Sequence, residues 1–225
     1  MIIVTGASKG LGAAICNRLQ LKGKKVFGLA RDSSGLLFDG MDCDVSSYEN
    51  VKAVAKKLKN EKIKVTGLIN AAGISSMNLA VTTTPKITQS IIQTNLVGSI
   101  YCCQIFAPLM FRNKNGSIIN FSTIAVQLGL KGESIYVASK AGVEGFSHSF
   151  AREAADFNVR VNCIAPGPID TDLLRGIDPV QIERIVSQQV IPKQFVPSDV
   201  CDLVEFLLSD KSASLSGQVL NVGGC

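Results

Sequence analysis

The chain has a single histidine, His148, and its seven cysteines, at positions 16, 43, 102, 103, 163, 201 and 225, include no CxxC pair. The His/Cys spacing of a zinc site and the pattern of a disulfide framework are both missing. A reduced, cytoplasmic, metal-free protein is expected. Also missing are a basic leader, a signal-type apolar segment and any apolar run long enough to cross a bilayer, so no membrane partner is expected. No low-complexity linker and no internal repeat interrupts the chain. Lysines cluster at 22, 24 and 25 and again at 56, 57, 59, 62 and 64, yet the only aromatic close to them is Phe27. A nucleic-acid surface interleaves its basic residues with aromatics; these clusters read as solvated helix ends, and no nucleic-acid partner follows from the net charge of +5.

What is present suffices for one substantial core. With 225 residues, 46% of them hydrophobic, residues 1–225 read as one α/β domain. Strand-like runs at Ile2–Val4, Lys25–Ala30, Val65–Ile69, Ser117–Phe121, Val159–Ile164 and Gly217–Val222, with a strand ending at Cys43-Asp44-Val45, make seven. Helical periods fall between them at Leu11–Leu21, Lys86–Phe111, Ser134–Asp156 and Asp178–Val190, with a last helix capped by Ser198 or Asp199. Ser46 and Glu49 have the spacing of a capping box for one more. The link from Ser33 to Met41 is too short for a full crossover helix. Strict alternation implies a single doubly wound Rossmann domain: a seven-stranded parallel sheet with helices on both faces.

The first strand stops at Thr5-Gly6-Ala7-Ser8-Lys9-Gly10-Leu11-Gly12 and a helix follows at once. Glycines there let a pyrophosphate approach the backbone, and the helix N-terminus offers it free N–H groups. The second strand ends at Ala30-Arg31, without the carboxylate that would hold a ribose 2′-hydroxyl. Arg31, with Lys9, can bind a 2′-phosphate, so NADP(H) is predicted over NAD(H); the competing role for Arg31 is a surface strand end partly neutralised by Asp32. Asn70-Ala71-Ala72-Gly73 puts small residues beyond the fourth strand, where a ligand can come close. Asn95 falls mid-helix, either a buried structural amide or a functional one that distorts the helix. Tyr136 and Lys140 are four residues apart and share a helix face. A nearby cation lowers a phenol's pKa from its ordinary value of about 10, which makes such a pair usable for proton transfer. His148, three turns further along, reads as a surface or interface residue.

Taken in order, these motifs, with Pro166-Gly167 through Thr171 and the ending Val222-Gly223-Gly224, resemble the classical short-chain dehydrogenase/reductase family over the whole chain. The spacing is most similar to that of 3-oxoacyl-carrier-protein reductases and related NADPH-dependent ketoreductases. The resemblance implies that Tyr136 protonates a carbonyl oxygen as hydride arrives, that Lys140 binds the nicotinamide ribose and lowers the Tyr136 pKa, and that Asn95 holds a water in a proton relay. It assigns the coenzyme to Gly6, Ser8, Lys9, Gly10, Leu11, Gly12, Arg31, Asp44, Val45, Asn70, Ala71, Gly73, Tyr136, Lys140, Pro166, Gly167, Ile169 and Thr171, with Asp44-Val45 at the adenine.

The sequence departs from the family at the hydroxyl that polarises the carbonyl. The position thirteen residues before Tyr136 is Thr123, with Ser122 one earlier; spacing favours Thr123 and leaves Ser122 as the fallback. The second Asn of the strand-four motif is replaced by Ala71, and the chain ends at Cys225 without the longer tail of some relatives. The resemblance implies a small carbonyl or alcohol substrate, a carrier-protein or CoA thioester being one form. Asp172 to Gln194 offers Leu173, Leu174, Ile177, Val180 and Ile185 as its apolar lining, with Arg175, Arg184 and Lys193 as basic neighbours. The helix at Asp178–Val190 is a candidate lid. Self-association through the two long helices, as a homodimer or homotetramer, is expected. Two other readings stay open: NADP-dependent oxidation of an alcohol in a sugar or secondary-metabolite pathway, and a catalytically weak NADP(H)-sensing binding protein.

Overall fold

The computed structural model describes residues 1–171 and 178–224; of the apolar and basic residues expected to line the substrate region, Leu173, Leu174, Arg175 and Ile177 fall outside them. Short apolar runs become strands β1 (Ile2–Thr5), β2 (Val26–Ala30), β3 (Gly40–Asp42), β4 (Gly67–Asn70), β5 (Gly116–Phe121), β6 (Val159–Pro166) and β7 (Val219–Val222). All pair in parallel, in the order β3-β2-β1-β4-β5-β6-β7. Both faces of the sheet are covered, so neighbouring residues enter different cores. Ile3, Leu68 and Ile118 pack with buried residues of helices α2 (Tyr48–Asn60), α4 (Gly98–Phe111) and α6 (Ser134–Ala155). Ile2, Val4, Ile69 and Ile119 pack with those of α1 (Gly10–Leu21) and α8 (Pro197–Leu208). Each fully buried Ile or Leu contributes about 1.5–3 kcal/mol.

The expected boundaries shift at several ends. Cys43-Asp44-Val45 follows β3 and is not part of it, and α2 is capped one residue later than expected, by Ser47, whose Oγ accepts from Asn50 N (3.3 Å). Ser46 is drawn instead to the Asp44 carboxylate (Oγ to Oδ1, 2.6 Å). Helix α8 starts after Val196, with Pro197 in its first turn and the Asp199 carboxylate accepting from Val196 N (2.9 Å). The 27 residues Pro85–Phe111 form one continuous helical run, α3 (Pro85–Ile92), a π turn (Gln93–Val97) and α4. Contrary to expectation, this run is long and apolar enough to cross a membrane. Its α4 portion is spent on the protein's own core, where Cys102, Cys103, Phe106, Ala107 and Met110 are buried.

Candidate active site

The strand order reverses between β1 and β4, and the crevice beyond their C-terminal ends is where open α/β sheets bind ligands. A cleft of about 390 Å³ opens there, lined at one end by Gly6, Ser8, Lys9, Gly10, Leu11 and Gly12. Two of these positions require glycine. Gly6 has φ +68° and a Cβ there would lie 2.9 Å from Ala72 Cα; a Cβ on Gly12 would lie 2.3 Å from the Gly6 carbonyl oxygen. The first turn of α1 is thereby pressed onto the loop, and its N-terminus carries no side-chain cap. Thr5 Oγ1 accepts from Ala72 N (3.0 Å) and ties the two crevice loops together.

Arg31, Asp44, Val45, Ala71 and Gly73 line the same cleft, as do Pro166, Gly167, Ile169 and Thr171. Ser8, Lys9 and Arg31 are exposed, and no ion pair to Lys9 or Arg31 occurs among the described residues. Among the described residues Asp32 forms no ion pair with Arg31, and its carboxylate accepts from Ser34 N (3.0 Å) and Ser34 Oγ (2.7 Å). The Asn70 side chain is not brought to the cleft. Its amide turns into the core and donates to Asn120 Oδ1 (2.8 Å), because β4 alternates and residue 70 takes the inner side.

At the other end stand Thr123, Tyr136 and Lys140. Helix α6 presents Tyr136 and Lys140 on one face, with Lys140 Nζ 5.9 Å from the Tyr136 ring centroid. Nζ donates to Phe121 O (2.8 Å) at the end of β5. Burial brings the Lys140 ammonium down to about 8. The expected lowering of the Tyr136 pKa by Lys140 does not appear. Burial holds the phenol well above its ordinary value and the Glu133 carboxylate adds to the rise, while a hydrogen bond with the Thr123 side chain opposes both.

The two candidate hydroxyls part company just beyond β5. Ser122 is buried and its Oγ donates to Glu144 Oε1 (2.5 Å). Thr123 is half-buried, its Oγ1 accepts from Ala125 N (3.2 Å), and its side chain meets Tyr136.

Asn95 sits in the π turn, where Ser99 Oγ donates to its carbonyl (2.7 Å). Its Nδ2 donates to Ile74 O (2.9 Å) and Ser139 Oγ (3.0 Å), and its Oδ1 accepts from Ile74 N (2.9 Å). Ser139 Oγ in turn donates to Tyr136 O (2.6 Å). Both amide protons are engaged within the protein, which straps the Asn95 side chain to Ile74 and, through Ser139, to the first turn of α6; its oxygens are the atoms that can meet a water.

Residue motifs did not reveal Glu133, Glu144 or Gln189. Gln189 is wedged between two glycines: a Cβ on Gly167 would lie 1.9 Å, and on Gly223 2.4 Å, from its Oε1. Glu133 could have been found by the same helical-spacing argument that joined Tyr136 to Lys140, run three residues backward. His148 is exposed. Helix α7 (Pro179–Ser187) has no buried residue and contributes Ile182 and Ile185 to the cleft, while Val180 and Arg184 are exposed.

A parallel sheet wound this way around a cleft, glycine loop at the reversal, defines a Rossmann-type domain. The chain belongs to the short-chain dehydrogenase/reductase family. A family model described as enoyl-(acyl carrier protein) reductase matches residues 6–224. The 3-oxoacyl-[acyl-carrier-protein] reductase of Vibrio cholerae is 35% identical over 99% of this chain and 95% of that protein. Among solved structures, ligand-free aldohexose dehydrogenase of Thermoplasma acidophilum superposes with TM-score 0.90 at 33% identity, over 99% of this chain and 92% of that one. A 4-hydroxyisoleucine dehydrogenase complexed with NADH superposes with TM-score 0.92 at 26% identity, over 99% and 97%. The chain is therefore an oxidoreductase acting on CH–OH or C=O groups.

Proposed function

We propose that this protein reduces a ketone to a secondary alcohol with NADPH, Tyr136 acting as general acid. The observation that carries the reading is the meeting of Thr123, Tyr136 and Lys140 at one end of a cleft whose other end is a glycine cradle. The coenzyme, when bound, supplies hydride. The chain fits it: Gly6 and Gly12 stand where any Cβ would collide, and the uncapped α1 N-terminus offers its N–H groups to a pyrophosphate. Asp44, Val45, Ala71 and Gly73 line the adenosine side in this reading, and Lys140 holds ribose hydroxyls. Tyr136 keeps its proton at neutral pH and hands it to the carbonyl oxygen, which Thr123 polarises. The neutral thiols of six buried free cysteines suit a reducing cytoplasm.

The exposed, unpaired Arg31 and Lys9 support NADPH over NADH. Dissociation constants for both coenzymes, read by fluorescence, test this. NADPH should bind more tightly, and Arg31→Ala should raise its Kd about tenfold or more, the worth of one charge-assisted hydrogen bond. Tighter NADH binding by the wild type would overturn the assignment.

The hydroxyl assignment is tested by two variants. Thr123→Val should lower kcat about 10²-fold, as removal of a donor to a developing oxyanion does. Ser122→Ala removes a hydroxyl already committed to Glu144 and should lower kcat far less; the reverse ranking would give the role to Ser122.

For the substrate, the Vibrio relative supports a 3-oxoacyl thioester, and the aldohexose dehydrogenase supports the second reading, NADP-dependent oxidation of an alcohol group in a sugar pathway. Loss of NADPH absorbance against acyl-thioester, steroid-like and sugar ketones decides between them. We also assign self-association, as a dimer or tetramer, to the α4 and α6 surface, where Phe111 stacks on Phe157 at 4.2 Å and Phe146 on Phe150 at 5.2 Å.

A further inference from the structure

Glu133 occupies the N-cap position of α6, where an acidic side chain ordinarily accepts from the first-turn N–H groups. It makes no such bond. Only its main-chain groups take part in hydrogen bonds, Glu133 N to Leu130 O (3.2 Å) and Val137 N to Glu133 O (2.7 Å). The carboxylate instead lines the cleft, one helical turn before Tyr136 and on the same face. The residue is only partly exposed, and among the described residues its carboxylate has no hydrogen bond and no ion pair. Its closest chemistry is the Tyr136 phenol, whose ionisation it opposes.

No cation on the described chain serves this carboxylate. Lys140 is buried and committed to Phe121 O, while Lys9 and Arg31 belong to the glycine loop and the end of β2. The cleft wall also includes the apolar Leu130, Ile182 and Ile185. A partly desolvated carboxylate with no donor of its own gains from a donor brought by a ligand. In the catalytic steps assigned above the carboxylate raises the Tyr136 pKa but meets no reacting atom, since the proton donor is Tyr136 and the carbonyl partner Thr123.

Resting on the reductase reading, we propose that Glu133 selects the substrate: its carboxylate receives a hydroxyl or ammonium group carried by the ketone a few atoms from the reacting carbonyl, and repels ketones that place an anion there. The shared chemistry is an O–H or N–H donor facing an acceptor beside Tyr136.

The test compares size-matched ketones on the purified chain with NADPH. These are 4-hydroxycyclohexanone, cationic 1-methyl-4-piperidone, neutral 4-methylcyclohexanone and anionic 4-oxocyclohexanecarboxylate, with an acetoacetyl thioester alongside. The wild type should prefer the hydroxyl and cationic ketones, by kcat/KM, to the neutral one and disfavour the anion. In Glu133→Gln the cation-to-anion ratio of kcat/KM should fall about tenfold or more, the scale of a lost charge-assisted contact. NADPH binding and Tm measured on the same variant report whether cleft and fold are intact. An unchanged ratio, or equal losses for all four ketones, overturns the inference. Reduction of the thioester with none of the cyclohexanones touched also overturns it and leaves the reductase reading standing. Absence of turnover on every ketone brings down the reductase reading itself.

Discussion

Tyr136→Phe should remove turnover, with kcat falling about 10²- to 10⁴-fold, the usual contribution of a positioned acid, while the Kd for NADPH hardly moves. The substitution deletes one oxygen from a ring that is 8% exposed, so the wall of the cleft keeps its shape. What disappears is the only phenolic proton at the substrate end, since the other two tyrosines, Tyr48 and Tyr101, pack against each other across α2 and α4. Burial and Glu133 hold the Tyr136 proton firmly in place, which suits the direction from ketone to alcohol: the acid must be protonated when hydride arrives. The same firmness disfavours the reverse reaction at neutral pH, where Tyr136 would have to accept a proton as phenolate. Stopped-flow measurement of hydride transfer, beside a fluorescence titration of the coenzyme, separates the two effects. If Tyr136→Phe kept most of its rate, the proton would come from elsewhere and the assignment of Tyr136 would fail.

How far this site could be read from residues alone depended on whether its parts were local. Gly6 to Gly12, the strand that precedes them and the helix that follows are contiguous, and the strand–glycine–helix order is enough to make a cradle. Tyr136 and Lys140 are one helical turn apart, so spacing alone put them on one face. The parallel, doubly wound sheet followed from the alternation of strands and helices; the strand order did not. Contacts across the fold were out of reach. Ser122 and Thr123 are adjacent in sequence, and their fates separate because Glu144, twenty-two residues on, claims one hydroxyl while Tyr136 meets the other. Asn95 reads from sequence as either a buried structural amide or a functional one that distorts its helix; it is buried and it lies in a π turn, and that both its protons are spent on Ile74 and Ser139 is a tertiary fact. The sign of the Tyr136 shift was misjudged for the same reason. A cation one turn away was weighed, and the cost of burying the phenolate, which depends on everything packed around the ring, was not.

Lys140→Met should lower kcat about 10²-fold or more, on the scale of removing a charged group from a preorganised site, and should also change how stability depends on pH. Lys140 is 6% exposed and its buried ammonium titrates at about 8 against an ordinary 10.5. Below pH 8 the folded and unfolded chains both carry this proton, and the folded state bears the cost of burying the charge. Between about 8 and 10.5 the unfolded chain binds the extra proton, so stability rises with pH by up to about 3 kcal/mol, at 1.36 kcal/mol per pKa unit. The buried thiols act in the opposite sense at higher pH: Cys163, pushed up to about 12, and Cys43, at about 11, stay protonated when folded and ionise when unfolded. The informative quantity is therefore the difference between wild type and variant, followed by urea unfolding from pH 7 to 10, in which Cys43 subtracts while Cys163, whose thiol feels the Lys140 charge, adds a smaller change at the alkaline end. Methionine fills nearly the same volume and abandons only the hydrogen bond to Phe121 O (2.8 Å). The wild type should gain on the variant steadily as pH climbs from about 8. Parallel curves would mean that the ammonium is solvated in the folded chain, and the site would then hold its charge without strain. A diverging pair of curves, together with the lost turnover, would place the cost of a buried cation and its catalytic use on the same atom, Nζ of Lys140.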